Sequence, residues 1–118
     1  FDHVYKFINK QGQMSVSDDG VCQYRSNSED GKVLACAAGC LLSDEEAYGL
    51  DNGAQGNAWN AIVRAGKAPA RFSAFTSLIR AMQSAHDYAA SGGRGMDAFR
   101  GEMRRVAHSY GLIVPPLR

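Results

Sequence analysis

Residues 21–46, VCQYRSNSEDGKVLACAAGCLLSDEE, constrain the fold more tightly than any other stretch of the 118-residue chain. The run holds all three cysteines, a hairpin signal and a helix start. Val21–Arg25 and Lys32–Ala35 read as two short strands. The polar segment Ser26–Gly31 between them ends in Asp30-Gly31, a turn-forming pair, so the pattern predicts a hairpin. Ser43-Asp44-Glu45-Glu46 is a capping box. The Ser43 hydroxyl can accept from the Glu46 backbone N–H while the Glu46 carboxylate returns the bond, and two more carboxylates suit the positive end of a helix dipole. Gly49 and then Asp51-Asn52-Gly53 are expected to stop this helix early.

Four further helices follow from apolar spacing. Phe1, Val4, Tyr5 and Ile8 fall on one helical face, with Gly12 as its stop. Asn57–Ala65 predicts a short helix with Trp59, Ile62 and Val63 inward and Gly66 ending it. Arg71–Ala90 is expected to be the longest helix, its stripe running through Phe72, Phe75, Leu78, Ile79, Met82 and His86. Ser91-Gly92-Gly93-Arg94-Gly95 breaks it. Met96, Phe99, Met103, Val106 and Tyr110 then mark a helix over about 96–110, ended by Gly111. The expected fold class is α+β. A two-stranded hairpin packs among four to five helices, the two long C-terminal ones antiparallel across the glycine turn, in a single domain over 1–118. Gly101 lies inside the last helix, where it costs about 1 kcal/mol against Ala; either close backbone approach or plain tolerance accounts for it.

The net charge of +1 hides a split. Residues 1–63 carry four basic residues against nine acidic ones, a net of −5. Residues 64–118 carry nine basic against three acidic, a net of +6, and eight of the nine cations are Arg. Arginine suits bidentate anion contacts better than lysine does. The two halves neutralise each other in the fold, or the Arg residues are simply solvated, or they meet an anionic partner: nucleic acid, a nucleotide or an acidic protein face. Arg94, Arg100, Arg104 and Arg105 cluster in and before the last helix, with Arg100 and Arg104 one helical turn apart. Arg25, at a strand end, can join the same polar surface. These five are the candidate binding residues.

Catalytic chemistry finds little support. Cys22, Cys36 and Cys40 are not at knuckle spacing, and His3, His86 and His108 are scattered, so no metal site is expected. Buried, reduced thiols in a cytoplasm account for the cysteines better; a Cys22–Cys36 bridge is the lesser alternative. Cys40 precedes an acidic helix start whose carboxylates oppose a thiolate. His86-Asp87 resembles the dipeptide of metal-dependent phosphohydrolases, but a histidine on an apolar stripe is more often core. No phosphate-binding, nucleophile-elbow or zinc-protease motif is present. No catalytic residue and no cofactor is expected. No apolar run reaches the ~18 residues of a membrane helix. The chain begins at Phe1, which leaves a trimmed or processed N-terminus open.

Cys22-Gln23-Tyr24-Arg25, Leu34-Ala35-Cys36-Ala37-Ala38-Gly39-Cys40-Leu41-Leu42 with Asp44-Glu45, His86-Asp87, and the closing Ala107–Leu112 together resemble a group of small uncharacterised proteins of tailed phages and prophages. The resemblance spans most of the chain, with Ser43 standing where a proline is common. It implies a phage protein acting in the cytoplasm of the host bacterial cell. On that footing the first expectation is a binding protein that inhibits or sequesters a host or defence factor without catalysis. Its partner would be a host bacterial protein or an anionic ligand, nucleotide or nucleic acid, with no membrane and with a homo-oligomer left open. A protein sequestering a nucleotide signal, or a small hydrolase using His86 and Asp87, are the alternatives.

Overall fold

A computed structural model describes residues 1–15, 24–28, 31–51 and 59–116. The fold is α+β: a two-stranded antiparallel hairpin among five α-helices, with the two long C-terminal helices packed together. None of the described helices is long and apolar enough to cross a membrane.

Helix α1, Asp2–Gln11, buries Val4, Tyr5 and Ile8 on its predicted face. Gly12 takes the left-handed conformation, φ 79°, and its N–H bonds to Ile8 O at 2.9 Å, closing the helix as a glycine stop should. The hairpin pairs β1, Arg25–Asn27, with β2, Val33–Ala35, in the register Arg25↔Ala35, Ser26↔Leu34 and Asn27↔Val33. The second strand lies where the sequence put it. The first is displaced, since Ser26 and Asn27 were assigned to the turn; Val21–Gln23 lie outside the described residues. The reason is chemical. Ser26 points inward, 8% exposed, and its Oγ lies 2.7 Å from Ser15 Oγ. A hydrogen-bonded serine occupies an inward strand position that apolar periodicity cannot mark. The turn is held by Ser28 N–H on Lys32 O at 2.8 Å and Gly31 N–H on Ser28 O at 3.0 Å.

Helix α2, Asp44–Asp51, starts at the capping box as expected. Ser43 N–H donates to Glu46 Oε1 at 2.9 Å, and Glu46 N–H to Ser43 Oγ at 3.1 Å. It runs through Gly49 rather than stopping there, because buried Leu50 and the Asp51 carboxylate both belong to its last turn. Helix α3, Trp59–Arg64, buries Trp59 and Ile62, while Val63 faces out instead of in. Asn57 and Ala58 lie outside the described residues. Gly66 ends the segment at φ 71°.

The fourth helix begins later than the apolar stripe suggests. Ala70–Phe72 is a 3₁₀ turn, with Phe72 N–H on Pro69 O at 3.0 Å, and α4 proper is Thr76–Ala90. Phe75 therefore stands at the junction, 55% exposed, not in the core. Helix α5, Gly95–Tyr110, buries Phe99, Met103 and Val106 as predicted. Tyr110 does not follow them inward: the helix outruns the core at its last turn, and the ring is 43% exposed. Gly111, φ 66°, closes the helix, and Leu112 N–H reaches back to Ala107 O at 2.8 Å. The main core gathers Val4, Ile8, Tyr24, Cys36, Ile62, Met82, Phe99 and Met103.

Candidate functional site

Arg25, at the start of β1, faces the chain's own backbone. Its Nη1 donates to Tyr24 O at 3.0 Å and Gly39 O at 2.6 Å, its Nη2 to Leu42 O at 2.8 Å, and its Nε to Asp44 Oδ1 at 3.1 Å. The guanidinium thus ties the hairpin to the 3₁₀ turn Gly39–Leu41 and to the start of α2. Asp51 completes the frame from the far end of α2. Its carboxylate accepts from Tyr24 N–H at 3.0 Å and Arg25 N–H at 3.1 Å. Gly39 allows the close approach: a Cβ there would run into Tyr24 O and sit 3.0 Å from Tyr24 Cα.

The other four candidates divide into two kinds. Arg100 is half-buried. Its Nε donates to Asn9 Oδ1 at 2.6 Å and its Nη1 to Asp97 Oδ1 at 3.1 Å, fastening α5 to α1. Arg94 stands between α4 and α5. Its Nη1 donates to Ser91 O at 2.5 Å and Tyr88 O at 3.2 Å, and its guanidinium carbon lies 4.4 Å from the Tyr88 ring centroid. It therefore caps the carbonyl end of α4, where a cation is favoured. Arg104 and Arg105 are exposed, and neither has a hydrogen-bond or ion-pair partner among the described residues. Of the five, Arg104 and Arg105 stand exposed on α5, while Arg25 is engaged at the hairpin.

The complementary charge of the two halves meets at Arg71 and Glu46. Arg71 Nη1 and Nη2 reach Glu46 Oε2 and Oε1 at 2.8 and 2.6 Å, a bidentate pair joining the 3₁₀ turn before α4 to the cap of α2. The hydrogen bonds from Arg71, followed by those from Ser43, hold the Glu46 carboxyl down at about 2.

His86 is fully buried, as the core reading of its stripe requires. Its Nε2 accepts from Ser15 N–H at 3.0 Å, and Nδ1 lies 3.2 Å from Asp87 Oδ1. That arrangement assigns a neutral ring with its proton on Nδ1. Gln83 extends the network, donating to Asp87 Oδ1 and accepting from Ala38 N–H, each at 2.8 Å. Both ring nitrogens are occupied, leaving none to face a substrate. Cys36 is buried. Cys40, partly buried, donates S–H to Ala37 O at 3.1 Å, and burial pushes its thiol up to about 12 against the pull of Arg25. A neutral thiol is a poor nucleophile. Among the described residues no three His, Cys, Asp or Glu side chains are placed to hold a metal ion; Cys22 lies outside them.

A concave surface lies between α4 and α5. It is an open groove of about 360 Å³. Ala81, Ser84, Ala85 and Tyr88 line it from α4; Glu102, Arg105, Val106, Ser109 and Tyr110 line it from α5. Sequence reasoning selected Arg105 but not the tyrosines. The available signal was the spacing of Ala81, Ala85 and Tyr88 along a second, less apolar stripe of α4. No protein-family model matches the chain, and neither a curated protein nor a solved structure matches it.

Proposed function

We propose that the chain is a non-catalytic binding protein whose partner surface is the outward side of α5 around Arg104. The observation that supports this reading is the contrast among the five candidate arginines. Arg25, Arg94 and Arg100 are tied to the chain's own acceptors, while Arg104 and Arg105 are solvated and unpaired among the described residues. A solvated guanidinium group on a regular helix favours a carboxylate-bearing protein face. Glu102, in the groove beside Arg105, argues against a polyphosphate as the first choice. In the phage setting that the sequence resembles, the partner is a host or defence protein in the bacterial cytoplasm, and binding inhibits or sequesters it.

The test is affinity capture from bacterial lysate with the wild-type chain and Arg104→Glu at low and high salt. The expected result is a discrete protein retained by the wild type at low salt, released by salt and lost with the variant. Equal retention by both proteins, or retention of nucleic acid alone, overturns the proposal.

A further inference from the structure

We infer that the open α4–α5 groove is the contact surface for a second copy of this chain, giving an isologous antiparallel dimer. The argument begins with two charges. Glu102 and Arg105 stand one helical turn apart on the same side of α5 and both line the groove, yet neither forms an ion pair or a side-chain hydrogen bond among the described residues. Opposite charges at such a spacing are self-complementary under a two-fold axis. An antiparallel crossing of two α5 helices, centred between Met103 and Arg104, sets Glu102 of each copy against Arg105 of the other. The same crossing sets Ala98 against Ser109.

Gly101 is the second observation. It weakens a helix interior, and a Cβ there would meet nothing within 4 Å, so the single chain gives no packing reason for it. At the edge of the seam, on the same side as Arg105 of the second copy, it has one. Helix α4 repeats the symmetry. A crossing centred between Ser84 and Ala85 opposes Ala81 of one copy to Tyr88 of the other, small against large along the groove wall. Tyr88, 47% exposed, and Tyr110 at the far end then gain cover, as half-exposed tyrosines at interfaces do. Residues one apart on a helix point ~100° apart. Arg104 therefore stays outside the seam, and the two copies present their Arg104 side chains on the same side of the dimer.

Sedimentation velocity on the full chain tests this. The wild type is expected to be dimeric. Glu102→Arg and Arg105→Glu each oppose like charges across the axis and are expected to weaken self-association by about tenfold or more. Mixing these two variants restores both attractive pairs and gives a heterodimer; the double swap Glu102→Arg/Arg105→Glu gives a homodimer again. Gly101→Leu supplies an uncharged version, dissociating the dimer while circular dichroism stays helical. A monomeric wild type overturns the inference. So do single variants that self-associate like the wild type, or a mixture that fails to pair. Arg104→Glu is expected to leave the dimer intact, which separates this result from the capture experiment.

Discussion

The frame around Arg25 and the outward face around Arg104 use the same side chain for opposite ends. At Arg25, a strand, a 3₁₀ turn and a helix start converge, and the guanidinium supplies donors to the Tyr24, Gly39 and Leu42 carbonyls. At Arg104, a continuous helix satisfies its own backbone and the side chain has nothing to repair. Arg25 is claimed by backbone carbonyls where the chain is irregular, and Arg104 is left to solvent on a regular helix; Arg100, on that same helix, is held by the side chains of Asn9 and Asp97 instead. If the comparison holds, changes in the first region appear as stability and changes in the second as association.

The largest effect is expected at Gly39. A methyl group there collides with the Tyr24 backbone, which cannot retreat without breaking the two hydrogen bonds to Asp51. Gly39→Ala should destabilise the fold by about 3 kcal/mol, read as a lower midpoint in urea unfolding. A wild-type midpoint would show that the hairpin and the 3₁₀ turn can separate freely, and the contrast would lose its rigid half.

Next is Arg25 itself. Arg25→Ala removes the guanidinium bonds to the Gly39 and Leu42 carbonyls, of which Gly39 keeps the Leu42 N–H, and should cost about 2 kcal/mol. Arg25→Lys should recover little, because one ammonium cannot span acceptors arranged for a planar fork. Full rescue by lysine would mean that charge beside Asp44 matters more than the carbonyl contacts.

How far the sequence shows this contrast depends on what each feature is made of. The capping box and the glycine stops at Gly12 and Gly111 are local, so they read directly. The α5 stripe reads correctly until Tyr110, where the missing fact is how far the core extends. Ser26 defeats the strand assignment because its inward position rests on Ser15, eleven residues away and itself unremarkable in pattern. The same limit governs the site. Arg25 and Arg104 look alike in sequence, and the carbonyls that claim Arg25 belong to residues 39 and 42, which only the folded chain brings near. The groove is less legible still, since it exists only where two helices meet.

A smaller effect belongs to the Glu46–Arg71 pair, which joins the cap of α2 to the 3₁₀ turn before α4. The Glu46 carboxyl is lowered from the ordinary 4.5 to about 2 in the fold. A lowered acid stabilises the folded state wherever the unfolded chain would be ionised. Its contribution is complete above about pH 4.5 and is lost as pH falls toward 2. Solvent screens the pair, so the shift in Tm is expected to be modest. Wild type and Glu46→Gln should differ in Tm at pH 6 and converge as pH approaches 2. A gap that persists unchanged at low pH would assign it to packing instead of charge.

The smallest stability effect, and the sharpest division, is expected at Arg104. Its side chain is exposed and has no partner among the described residues, and the α5 backbone around it is regular. Arg104→Glu should therefore move unfolding free energy by no more than about 0.5 kcal/mol. In association it should act strongly, because reversing a charge on a rim slows encounter with an oppositely charged face and does so most at low salt. Urea unfolding and partner association measured on the same preparation decide the matter. A stability loss comparable to that of Arg25→Ala would place Arg104 in the structural class and remove the contrast. Unchanged stability together with lost, salt-sensitive association would leave the two arginines divided by the regularity of the backbone beneath them.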